Sequence, residues 1–184
     1  MGKKVLIILA EGFEEIEAAT PIDVLRRAEI EVTVAGLGNK TIAGAHGIKF
    51  QTDVTLDAYQ GLPDAVILPG GLPGAQNLAN SKKVAEIIKN MDREKRLIGA
   101  ICAAPPLAVA PTGILDGKRA TCYPGFEKDF PASVSFSEAR VVVDGNVITS
   151  RGPGSALEFA LELVRHLAGK EKAQALQKGL LAKA

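Results

Sequence analysis

Leu97-Ile-Gly-Ala-Ile-Cys-Ala-Ala-Pro-Pro106 is the stretch whose reading decides the rest of the chain. An apolar run of strand length breaks at a cysteine, and small residues and prolines then open a helix. Pro105 falls in the first helical turn, where the N–H it lacks has no intrahelical partner anyway. A thiol at such a turn lies at the carboxyl edge of a sheet and faces the N–H groups of the following helix. Their partial positive charge favours thiolate. Cysteine is also among the most buried residue types, and the stretch alone fits an inert core thiol equally well.

Upstream, residues 5–10 (Val-Leu-Ile-Ile-Leu-Ala) read as a strand buried on both faces, as in a parallel sheet, and 31–36 and 64–68 as further strands. Between the first two, a helical pattern over 14–28 places Ile16, Ala19, Ile22, Val24 and Leu25 on one side. Pro21 crowds the carbonyl of Glu17 and is expected to bend or loosen this helix there. The glycine-rich stretch 36–47, with extended pieces at 41–42 and 48–50, suggests a small antiparallel hairpin. Ser81 can cap a helix running to about Met91.

Downstream, residues 103–110 are expected to be helical, 119–122 a short strand and Val134 part of a weak one. Residues 141–143 and 146–149 form a hairpin around Asp144-Gly145. Helices over 155–167 and 171–181, divided by Gly169, end the pattern. Alternating strands and helices without a linker or repeat indicate one domain over 1–184. Its fold class is α/β, a flavodoxin-like three-layer αβα sandwich with a mostly parallel sheet and small antiparallel hairpins. Such sheets carry their sites at strand carboxyl ends, and three of those ends stand out: 11–17, Gly70-Gly71 and Cys102.

Of 184 residues, 47% are hydrophobic, and 22 Lys and Arg nearly balance 21 Asp and Glu. No basic block asks for nucleic acid, and no apolar run reaches membrane-spanning length. Two cysteines, Cys102 and Cys122, make no disulfide framework and suit a reducing compartment. Met1-Gly-Lys-Lys4 leads straight into a strand with no signal peptide, so a soluble cytoplasmic protein is expected.

Gly70 and Gly71 end an apolar strand, where backbone N–H groups can approach a bound group as an oxyanion site or simply make a turn. Glu14 and Glu15 are accounted for by the helix dipole. Glu17 shares a helical face with Phe13, and a carboxyl turned inward beside a thiol could hold or move a proton. Of the two histidines, His166 suits a helix C-terminus, whereas His46 lies in a glycine-rich loop that can fold toward the thiol. No metal-ligand spacing and no GxGxxG or Walker-type loop occurs, so neither metal nor cofactor is expected.

Ala10-Glu-Gly-Phe-Glu-Glu-Ile-Glu17, Leu68-Pro-Gly-Gly71, Ala100-Ile-Cys-Ala-Ala104 and Ser150-Arg-Gly-Pro-Gly154, in that order, resemble the ThiJ/PfpI superfamily, and within it the DJ-one clade of parkinsonism-associated deglycases. The resemblance spans essentially the whole chain. It implies that Cys102 is the oxidisable nucleophile, that Glu17 hydrogen-bonds it, and that the N–H groups of Gly70, Gly71 and Ala103 form the oxyanion site. It also implies a homodimer with Asp23 and Arg26 on the interface helix close to the site. The implied substrates are a small dicarbonyl or a glycated protein. The implied activities are glutathione-independent glyoxalase and deglycase chemistry, with redox sensing or a chaperone role through Cys102 sulfinate as the alternative. One position departs from the pattern: Tyr123 stands where a histidine often neighbours the thiol. Its ordinary pKa of about 10 makes it a poor base, which shifts proton transfer onto Glu17 or His46. The neighbouring protease and chaperone subfamilies place His directly after the nucleophile, where this chain has Ala103.

Overall fold

The computed structural model describes residues 2–182. In chain order they form β1 (Lys4–Leu9), α1 (Glu15–Arg27), β2 (Glu31–Gly36), β3 (Thr41–Ala43), β4 (Lys49–Gln51), β5 (Val54–Thr55), β6 (Ala65–Leu68), α2 (Gly74–Ala79), α3 (Lys82–Arg93) and β7 (Leu97–Ile101). There follow β8 (Arg119–Ala120), β9 (Ser135–Phe136), β10 (Val141–Asp144), β11 (Val147–Ser150), α4 (Ala156–Ala168) and α5 (Lys170–Gly179).

Seven strands make one sheet in the order β10-β11-β7-β6-β1-β2-β5. All its neighbours run parallel except the β10–β11 hairpin at one edge. The expected three-layer architecture is therefore present, with α1 packed on α4 and α3 packed on β6 and β7. After Lys4, β1 is apolar at every position, as are β6 and β7, because both faces are covered: Leu6, Ile7, Ile8 and Ile67 are completely buried. Each contributes about 1.5–3 kcal/mol by leaving water. In α3 the inward side is Val84, Ile88 and Met91, and Ser81 Oγ accepts the Val84 N–H at 3.3 Å. That is the cap the sequence indicates.

Several local expectations change. α1 continues through buried Pro21, which has no N–H to give the Glu17 carbonyl, and Glu14 caps the helix by accepting the Glu17 N–H at 2.7 Å. After Cys102 there is no regular α-helix: consecutive prolines lack two N–H groups, and the chain forms a wide π-type turn over Pro105–Val109 and a 3-10 turn over Ala110–Thr112. The strand expected over 119–122 stops at Ala120. It pairs with β9 in a separate two-stranded sheet, as β3 does with β4. β5 and α2 are additions. The first is two residues on the sheet edge, and the second a helix of six residues opened by Gly74 without a side-chain cap.

Candidate active site

β7 delivers Cys102 to the carboxyl edge of the sheet. Its N–H donates to the carbonyl of Ser150 at the end of β11 (2.9 Å), and its own carbonyl accepts the Tyr123 N–H (3.0 Å). Held at both ends, Cys102 adopts φ 67°, a conformation that a β-carbon-bearing residue takes only when its surroundings impose it. The side chain turns into the protein and leaves the residue 8% exposed. Burial pushes the thiol pKa well above its ordinary value and the nearby Glu17 carboxylate raises it further, whereas N–H groups of Gly71 and Ala103 donate to sulfur and pull it down. The expectation of a thiolate favoured by a helix N-terminus is thus corrected. Two backbone donors reach the sulfur, no regular helix stands behind them, and burial outweighs both.

Glu17 comes from the first turns of α1 and is fully buried. Its Oε2 accepts the Gly70 N–H at 2.8 Å. Burial is the main cause that raises its pKa to about 8; the Cys102 thiol and the Gly70 N–H lower it, and the Glu14 charge raises it again. Near neutrality this carboxyl is mostly protonated. It interacts with the Cys102 thiol, while its Oε1 is buried without a hydrogen-bond partner. Gly70 allows the approach: a Cβ there would lie 2.5 Å from Cys102 Cβ, 2.8 Å from Glu17 Oε2 and 2.9 Å from the Ile101 carbonyl.

A thiol, a neutral carboxyl and two converging N–H groups thus meet at strand ends of a flavodoxin-like sheet. The model of the DJ-1/PfpI family matches residues 3–166 of this sequence. The chain belongs to that family. It is 48% identical over 187 residues to the Parkinson disease protein 7 homolog of Danio rerio, covering 99% of this chain and 98% of that one. It is 40% identical over 181 residues to the glutathione-independent glyoxalase DJR-1.2 of Caenorhabditis elegans, with 97% and 96% covered. It matches the Arabidopsis thaliana protein DJ-1 homolog B at 47% identity over 173 residues, spanning 93% of this chain but 40% of that protein. The crystal structure of Drosophila melanogaster DJ-1beta superposes with a TM-score of 0.94 at 42% identity, covering 100% of both chains.

Against this DJ-1/PfpI framework the expected site residues divide. Cys102, Glu17, Gly71 and Ala103 converge. Gly70 is beside them in a different role from the one expected: its N–H is given to Glu17 rather than toward an oxyanion. Tyr123 is at the rim, 45% exposed, and its ring covers Gly152, where a Cβ would come within 2.9 Å of Tyr123 Cδ2. His46 does not turn to the thiol. Its backbone N–H and Nδ1 both meet Glu15, at 2.7 and 2.9 Å, and draw the β3–β4 hairpin onto α1. Asp23 pairs with Arg27 at 2.7 Å and Arg26 with Asp53 at 3.5 Å. They lie six and nine residues beyond Glu17, about 9 and 14 Å along the helix at 1.5 Å per residue, and do not neighbour the sulfur.

The site also contains groups that the sequence reading did not assign. Gly152 makes room for Tyr123, and Glu14 adds a charge that holds the Glu17 proton. Gly152 stands in one of the four motifs, but its neighbour comes from a segment about thirty residues away in the chain. Cys122 is buried, its pKa pushed up to about 12 by burial. The depression at the rim is small, about 180 Å³, and is lined by Tyr123, Arg151 and Gly152 among others. Larger hollows lie elsewhere: one at the amino ends of the strands beside Lys3 and Lys118, one between α4 and α5, and one between Pro106, Pro111 and Phe130. The side chains of Glu14, Glu15 and His46 bring potential metal-ligand atoms within 4.8 Å of one another.

Proposed function

We propose that this protein is a cysteine-dependent, glutathione-independent glyoxalase that acts on methylglyoxal and glyoxal, and as a deglycase on the early adducts they form with proteins. The observation that carries this reading is the Glu17 carboxyl, which ionises only near pH 8, set against the buried Cys102 thiol. A carboxylate of that basicity matches a thiol far better than an ordinary one does, as proton transfer requires. In its ionised form Glu17 takes the thiol proton while sulfur bonds to the aldehyde carbon. The resulting alkoxide, held by the Gly71 and Ala103 N–H groups, is protonated to a hemithioacetal. Glu17 then removes the proton from that carbon and returns one to the neighbouring carbonyl carbon, giving a 2-hydroxyacyl thioester. Water hydrolyses it, and Cys102 is released with one 2-hydroxy acid per dicarbonyl. Purified protein is expected to form lactate from methylglyoxal. Retention of that activity in Cys102→Ala or Glu17→Gln would refute the assignment.

A second reading is favoured by the same neutral carboxyl. A protonated Glu17 can donate to an oxidised sulfur, so a redox sensor or redox-regulated chaperone working through Cys102 sulfinate uses the same residues. Mild peroxide is then expected to add two oxygens to the Cys102 peptide before Cys122 reacts. We further propose a homodimer formed across α1, whose Ile16 side chain is exposed, and a cytoplasmic location. Among the described residues no helix is long and apolar enough to cross a membrane.

A further inference from the structure

We propose that Glu14, Glu15 and His46 form a binding site for a divalent cation of the zinc class, on the first turn of α1. The ligand atoms of the three side chains all lie within 4.8 Å of one another. Two of the three ligands are carboxylates more than nine-tenths buried, with Glu14 8% and Glu15 5% exposed. Buried carboxylates are ordinarily matched by a cation or a metal. Among the described residues neither makes an ion pair with Lys or Arg, and His46 is the one basic side chain that meets them.

Their hydrogen bonds leave capacity unused. Glu15 accepts the His46 and Ile48 N–H groups on Oε1 and meets His46 Nδ1 on Oε2. Glu14 accepts the Glu17 N–H on Oε2, and its Oε1 has no hydrogen-bond partner among the described residues. The third ligand is supplied from the surface. The His46 side chain is 73% exposed, which gives the ion an entry path and lets the imidazole adjust. The hairpin that carries it is fitted to the carboxylate: a Cβ at Gly44 would lie 2.3 Å from Glu15 Oε1. Two carboxylate oxygens, one imidazole nitrogen and a water would complete a tetrahedral site, and the mixed nitrogen and oxygen donors suit Zn²⁺ rather than Mg²⁺ or Ca²⁺. No sequence spacing reveals the trio, because its histidine arrives on a hairpin thirty residues later.

The test is isothermal titration of Zn²⁺ into a Cys102→Ala, Cys122→Ser protein, which has no thiol ligands and no dependence on catalysis. One Zn²⁺ per chain is expected, with affinity at least tenfold weaker after adding His46→Ala or Glu14→Gln, and no comparable binding of Mg²⁺. His46→Ala removes the Nδ1 contact to the buried Glu15 carboxylate, so its melting temperature without metal is expected to fall, and Zn²⁺ is expected to raise the melting temperature only when His46 is present. Absence of stoichiometric binding, binding unaffected by His46→Ala, or equal binding of Mg²⁺ would each overturn the proposal.

Discussion

Replacing Glu17 by glutamine tests the electrostatics of the site through stability alone. The folded carboxyl holds its proton to about pH 8, against an ordinary value of 4.5. Below pH 4.5 the group is neutral both folded and unfolded, and burial costs nothing in charge. Above it the unfolded chain ionises while the folded one keeps its proton, so the native state binds more protons and stability falls as pH rises. The loss is complete above about pH 8. At 1.36 kcal/mol for each pH unit, the interval corresponds to about 5 kcal/mol. Glutamine has the shape of the protonated acid, can accept the Gly70 N–H and does not ionise. Glu17→Gln is therefore expected to match the native protein near pH 4.5 and to exceed it by up to about 5 kcal/mol above pH 8. With a urea slope of about 2 kcal/mol/M, the alkaline midpoint rises by about 2 M. Urea melts across this range, in native and Cys102→Ala backgrounds, measure the difference. A gap that does not grow with pH, or a variant less stable at alkaline pH, would refute the reasoning.

Gly70→Ala is expected to cost about 1–3 kcal/mol or more by overpacking and to abolish dicarbonyl turnover, because its Cβ would fall 2.5 Å from Cys102 Cβ and 2.8 Å from Glu17 Oε2; denaturant melts and a lactate assay read the two effects. Phe13 is 1% exposed and packs edge-on against Phe50 with ring centroids 5.1 Å apart, so Phe13→Ala should cost about 3–5 kcal/mol in the same melts. Ser81→Ala removes the cap of α3 and should cost about 1 kcal/mol while leaving turnover unchanged.

Much of the fold was legible because its central strands obey a simple rule. Strands covered on both faces are apolar at every position, and β1, β6 and β7 each read so in the sequence. α3 was legible through Ser81 and its apolar side. What escaped were elements with little local signal. α2 begins at a glycine inside a stretch that reads as a loop, β5 is two residues on an edge, and Pro105-Pro106 turns an expected helix into a π-type turn. At the site, Cys102, Glu17, Gly71 and Ala103 sit on strand ends and one helix turn, which a one-dimensional pattern can mark. The direction of the Gly70 N–H cannot be marked that way, since it depends on where Glu17 stands across the sheet edge. His46 was misplaced for a related reason. Its position is set by Glu15, thirty-one residues earlier, whose carboxylate anchors the hairpin before it can reach the thiol. The thiol pKa was misjudged because burial exceeds what two N–H groups return.

The central claim is a neutral buried carboxyl beside the nucleophile, and infrared difference spectroscopy observes it without any substrate. The spectrum of native protein minus that of Glu17→Gln is predicted to show the carbonyl stretch of a protonated carboxylic acid at neutral pH. That band should give way to carboxylate bands as pH passes about 8. Carboxylate bands already present at neutral pH, with no acid band to titrate, would contradict the account.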